Sequence, residues 1–143
     1  MSRHPKRDQR GQALVELALA LPIFLVLLLG VFSLGLGVFT WNGLANASRE
    51  IARTSSVYPA VILGASVETR RTVASHLGLV PGMVDPPPAN FTCVDIAGVP
   101  VAHFPCTSGD FVQVTVTATF YPVALLHIGG PITMSSTSSV QIP

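Results

Sequence analysis

The chain has 143 residues, room for one small domain beside a membrane anchor. Charged residues make up 10% of it, against about 25% in ordinary soluble domains, and none lies between Glu16 and Arg49. The net charge of +1 argues against nucleic acid as a partner, because that affinity rests on clustered Lys and Arg facing phosphates.

The basic residues Arg3, Lys6, Arg7 and Arg10, diluted by Asp8, directly precede an apolar run from Leu17 to Phe39 that holds no ionisable group. A helix needs roughly 20 such residues to cross about 30 Å of hydrocarbon, so this run predicts a transmembrane helix with the lipid bilayer as its partner. Basic residues flank only its N-terminal side, which places the N-terminus in the cytoplasm and the remainder outside. Trp41 suits the outer interface. Pro22 disturbs the helix locally, a defect that membrane helices tolerate when neighbours satisfy the freed carbonyl. Ser33 and Gly37 form a small-xxx-small pair, read either as a close-approach site for another helix or as ordinary glycine enrichment. Ala45-Asn46-Ala47 has the form of a signal-peptidase site, but the apolar run far exceeds the roughly 7–15 residues of a secretory signal, and the acidic Glu16 stands at its entry.

Glu16 is the residue that most needs a reason. A carboxylate at the edge of an apolar segment is costly, on the order of 2.5–3.5 kcal/mol at a helix centre and less near the interface. Two readings stand side by side: a functional acid, or an N-terminal acid favoured by the helix dipole and facing headgroup water. The stretch Arg10-Gly11-Gln12-Ala13-Leu14-Val15-Glu16 sets a glycine five residues before the acid, after a basic leader and before a long apolar helix.

This arrangement resembles the prepilin-peptidase site of type IV pilin-like proteins. The resemblance implies a cut between Gly11 and Gln12 and leaves Glu16 at the fifth position of the mature chain. Cleavage creates a positive α-amine on Gln12 that needs a partner among apolar helices. A neighbour's Glu16 at about 4 Å offers roughly 4 kcal/mol at an effective dielectric of about 20, a gain that a lone helix in lipid does not have. The likeness extends through Val15, Glu16, Leu21 and Pro22 to Ala47, Arg49, Ala52 and Arg53. This is similar to the TadE-like family, minor pseudopilins of the tight adherence (Tad) pilus machinery. Leu17 departs from the aromatic residue that commonly follows the glutamate in that family. Prepilin peptidase, other pilin or pseudopilin subunits and the Tad assembly machinery are the partners that the resemblance implies.

Beyond the membrane run, Leu44, Ser48, Ile51, Ala52 and Ser55 fall on one helical face, with Arg49, Glu50 and Arg53 elsewhere. The spacing predicts a stalk helix through Val57, ended by Pro59. A second helix is expected over Ala65–Leu77, capped by Ser66 and stopped at Gly78, with Arg70 and Arg71 on its polar side. Val80 to Ala89 carries Pro81, Gly82, Pro86, Pro87 and Pro88 and reads as a stiff loop. Phe111 to Tyr121 alternates Val112, Val114, Val116, Ala118 and Phe120 with polar residues, the pattern of a strand with one buried face. Ile132 to Ile142 reads as a more polar strand at a sheet edge. Asn90 to Ile96 and Val99 to Phe104 read as a hairpin about Ala97-Gly98.

Cys93 and Cys106 both lie on the outer side. A disulfide between them closes a loop of about 14 residues, worth roughly 3 kcal/mol in the chain-entropy account. Free or metal-bound thiols are the alternative, with Cys93, His103 and Cys106 as ligands, but the spacing matches no zinc pattern and no fourth ligand stands out. Asp85, Asp95 and Asp110 sit at expected turns. No catalytic constellation, metal site or cofactor motif is found.

The expected architecture is α+β: a basic leader over residues 1–11, a transmembrane helix over 12–40, and a head over 41–143 in which a small antiparallel sheet packs on the stalk. The expected function is that of a non-enzymatic minor pilin-like component in assembly of a Tad-type pilus. The alternatives are a permanently anchored extracytoplasmic binding module and a secreted protein released after Ala47.

Overall fold

The computed structural model describes residues 8–58, 66–86, 90–103, 105–122 and 130–143. One α-helix, α1 (Asp8–Val57), is 50 residues long and passes through Pro22 without a break. Its length, about 75 Å at 1.5 Å per residue, exceeds any bilayer, so the two halves of the helix have different surroundings. From Leu14 to Phe39 its large apolar side chains are exposed, apart from the half-buried Leu29. From Thr40 onward it is the spine of the head, with Thr40, Leu44, Ala47, Ser48, Ile51, Ala52, Ser55 and Ser56 buried and Arg49, Glu50 and Arg53 exposed. This is the expected stalk face, widened by Thr40, Ala47 and Ser56. The small residues among these bring the sheet and the second helix close to the α1 backbone.

Helix α2 (Val67–Leu79) starts where Ser66 accepts a hydrogen bond from the Thr69 amide at 3.1 Å. It packs on α1 through hydroxyl groups: Ser55 lies 3.4 Å from Thr69, and Thr54 lies 3.3 Å from Thr72. Arg70 and Arg71 are on its exposed side. Gly78 does not stop the helix, which continues to Leu79 and ends where Val80 turns to extended backbone at φ −104° and ψ 109°. Glycine terminates a helix by adopting a left-handed conformation, and Gly78 is not among the glycines with positive φ.

The four strands are β1 (Met83–Val84), β2 (Phe91–Val94), β3 (Phe111–Phe120) and β4 (Ile132–Gln141), and every pairing is antiparallel. β4 pairs with β3 along its whole length, from Phe111 opposite Gln141 to Phe120 opposite Ile132. β1 and β2 share the other edge of β3, end to end. β4 has no strand on its far side among the described residues, in keeping with its expected edge position.

Two sequence expectations are corrected here. The proline-rich segment from Val80 is not purely loop, because Met83 and Val84 pair with Ala118 and Thr117; residues 87–89 of that segment lie outside the described residues. The hairpin about Ala97-Gly98 has only one true strand. Its return limb contributes a single bridge, Val94 to Pro100, plus a bond from the Val101 amide to the Cys93 carbonyl at 2.9 Å. Pro100 has no N–H to extend the ladder. Phe104 lies outside the described residues.

Alternation along β3 buries Val112, Val114, Val116 and Ala118 against α1. Leu44 and Ile51 from the helix and Val114 and Val116 from the strand are the large, fully buried side chains at the centre. The expected α+β architecture, an antiparallel sheet on a long helix, is the one observed.

Candidate functional site

Two regions carry residues that sequence reasoning singled out. At the N-terminal end, Gly11, Gln12 and Glu16 all lie on α1 and are exposed. Gln12 and Glu16 are four residues apart and therefore share a helix face. Nothing lies within 4 Å of the position a Cβ on Gly11 would take. The Gly11–Gln12 peptide, where the sequence pattern leads one to expect a cut, is helical, and Gly11 is the weakest helix former short of proline.

Gly37 does not present an open face. A Cβ on Gly37 would lie 3.6 Å from the Phe120 ring and 4.0 Å from the Met134 methyl. The glycine admits the chain's own head rather than a second helix. Sequence reasoning missed this, because nothing in the local pattern ties Gly37 to residues some eighty positions later. Ala47, at the signal-peptidase-like motif, is fully buried within the head core.

At the other end of the head, Cys93 and Cys106 form a disulfide. The loop it closes begins with a tight turn in which the Asp95 carboxylate accepts from the Ala97 and Val99 amides, each at 2.8 Å. Asp110 organises the loop's return. It accepts from His103 Nε2 at 2.7 Å, from the Thr107 amide at 2.8 Å and from the Thr107 hydroxyl at 2.8 Å. The hydrogen bond from His103, reinforced by both Thr107 donors, lowers the Asp110 carboxyl from 3.8 to about 2. His103 and Thr107 both meet Asp110 through the same carboxylate oxygen, and the Thr107 hydroxyl also lies 3.3 Å from His103 Nε2, a closed cluster that braces the loop. With both thiols consumed by the disulfide, the Cys93, His103 and Cys106 ligand set is not available to a metal, and no other metal-holding cluster occurs among the described residues.

The helix geometry and the Gly11–Glu16 pattern coincide with a family match. Residues 11–53 match the TadE-like protein family. That stretch is TadE-like. The match covers the apolar half of α1 and most of its buried face, up to Arg53. No curated protein and no solved structure matches the chain. The match over this stretch implies a component related to the Tad pilus. Among the described residues one long apolar helix lies near the N-terminus, which fits a single-pass membrane protein in such a system.

Proposed function

We propose that this chain is a minor pseudopilin: a non-enzymatic subunit, processed by prepilin peptidase between Gly11 and Gln12, that acts in assembling a Tad-type pilus. In this reading residues 1–11 are a cytoplasmic leader, residues 12–40 span the cytoplasmic membrane, and residues 41–143 form the extracytoplasmic head. The observation that carries it is the placement of Gly11, Gln12 and Glu16 on one exposed, unbroken helix within the TadE-like stretch.

The helical spacing supports an assembly role for the acid. Gln12 and Glu16 are separated by about 6 Å along the axis. A neighbouring subunit displaced by that much brings the new α-amine of one chain level with the Glu16 carboxylate of the other. The charge pair then forms inside a bundle of apolar helices, where isolated charges are costly. Release after Ala47 is a poorer account, since that cut removes Leu44 and Ala47 from the centre of the head core.

Sequencing the N-terminus of the protein recovered from the cell envelope tests the proposal. Processing predicts a mature chain that begins at Gln12; an intact leader or a chain beginning at Ser48 rules it out.

A further inference from the structure

No spacer separates the head from the apolar segment. α1 is continuous from Asp8 to Val57, and the head already touches it at Gly37, through Phe120 at the end of β3. Gly37 lies inside the uncharged run from Leu17 to Phe39. The helix between Glu16 and Gly37 therefore has about 20 residues, ~30 Å at 1.5 Å each, one hydrocarbon thickness. A head that begins where the hydrocarbon ends rests on the lipid surface.

The side chains exposed at that level match such a surface. Trp41, one turn beyond Gly37, is 52% exposed, Tyr121 is 58% exposed and Ile132 is 49% exposed. Tyr121 follows Phe120 directly, and Ile132 is the pairing partner of Phe120. Two stretches distant in sequence, α1 and the paired ends of β3 and β4, thus place an indole, a phenol and an aliphatic side chain at one end of the head. Tryptophan and tyrosine are favoured where hydrocarbon meets headgroups, because one part of the ring system is apolar and another forms hydrogen bonds. No Asp, Glu, Lys or Arg occurs between Glu16 and Arg49 or anywhere from residue 111 to 143. Arg49, Glu50 and Arg53 lie farther along α1, and Asp95 and Asp110 flank Val94 and Phe111, at the opposite end of the sheet from Phe120.

We propose that Trp41, Tyr121 and Ile132 form a lipid-contact collar, inserted at the headgroup–acyl boundary of the leaflet on the head's side. The collar seats the head directly on the bilayer and fixes the depth of α1. The occupant of this surface is the bilayer itself, because the collar is continuous with the apolar helix and carries no charge to pair with a protein partner. The inference rests on the membrane-spanning reading of α1.

Trp41 is the sole tryptophan, which makes depth-dependent fluorescence quenching direct. The full chain is reconstituted in phosphatidylcholine vesicles containing lipids brominated either near the glycerol backbone or near the chain end. Single-tryptophan variants carry Trp41→Phe together with Tyr121→Trp, Ile132→Trp, Val99→Trp or Phe24→Trp. The collar predicts that tryptophan at 121 and at 132 is quenched by the shallow bromines to within about twofold of Trp41 in the unaltered chain. Tryptophan at 99, in the turn at the other end of the head, is quenched by neither lipid. Shallow quenching at 121 and 132 no greater than at 99, with deep quenching at 24 retained, overturns the collar and leaves the span intact. Loss of deep quenching at 24 overturns the span and the collar together. Two independent collar probes guard against one substitution disturbing the fold.

Discussion

Gly82 and Thr119 are held so closely that no other residue fits at the glycine. The Thr119 amide donates to the Gly82 carbonyl at 2.8 Å, while the Thr119 carbonyl oxygen stands where a Cβ on Gly82 would be. The glycine also has φ of +71°, a conformation costly for residues with a side chain. This contact turns the chain after α2, sets Met83 opposite Ala118 and presses Val80 onto Gly43 of α1, where a Cβ would lie 3.0 Å from a Val80 methyl.

Gly82→Ala is therefore expected to destabilise the head by about 1–3 kcal/mol through backbone strain alone. Gly78→Ala is the matched control. It lies inside α2 with nothing within 4 Å of its Cβ position, so it should stabilise by up to about 1 kcal/mol. Denaturant titration of the detergent-solubilised protein, followed by circular dichroism, measures both. Equal effects at the two glycines would contradict the close contact.

The disulfide ties β2 to the loop that precedes β3, and both cysteines are buried in the core. Replacing Cys93 and Cys106 together by alanine should cost roughly 3 kcal/mol. Reductant should lower the melting temperature of the natural protein and leave that of the double variant unchanged. Thermal melts with and without reductant provide the check.

Asp110 gives the head an acid dependence of known sign. Its carboxyl is lowered from 3.8 to about 2 by the hydrogen bonds from His103 and from the Thr107 amide and hydroxyl. A lowered folded-state value means that the ionised form is stabilised by folding. The contribution is complete above the unfolded value near 3.8 and is lost as pH falls toward about 2. Asp110→Asn should melt below the natural protein at neutral pH, and the gap should close across that window. Melting curves at successive pH values test this, and a gap that widens in acid would exclude the assignment.

Processing and assembly separate into two variants. Gly11→Phe should leave the leader attached, seen as a heavier chain by mass spectrometry. The position has open space around it, so the substitution should not disturb the helix. Glu16→Ala should leave insertion and processing intact and abolish piliation, scored by membrane fractionation and by electron microscopy of the cell surface. Normal pili from Glu16→Ala cells would remove the proposed charge pair.

The sequence by itself determined the elements whose signal is local. The run from Leu17 to Phe39 is long and uncharged enough to cross a bilayer. Leu44, Ser48, Ile51, Ala52 and Ser55 mark the buried face of the stalk by spacing alone. The alternation of Val112, Val114, Val116 and Ala118 states which side of β3 is inside. Gly11 and Glu16 stand out because their separation is short and their chemistry unusual for that place, and their roles in processing and assembly rest on the proposal above. What tertiary structure decided lies wherever two remote segments meet. Met83 and Val84 form a strand only because β3 offers an edge, which the prolines around them conceal. Gly37 reads either as a close-approach site for another helix or as ordinary glycine enrichment, whereas in the fold Phe120 and Met134 pack against it. The place where the head begins on α1 follows from that contact and from no local pattern. Hydrophobic period and charge act within a few residues of themselves, whereas strand pairing and close backbone approach exist only once the chain has folded back.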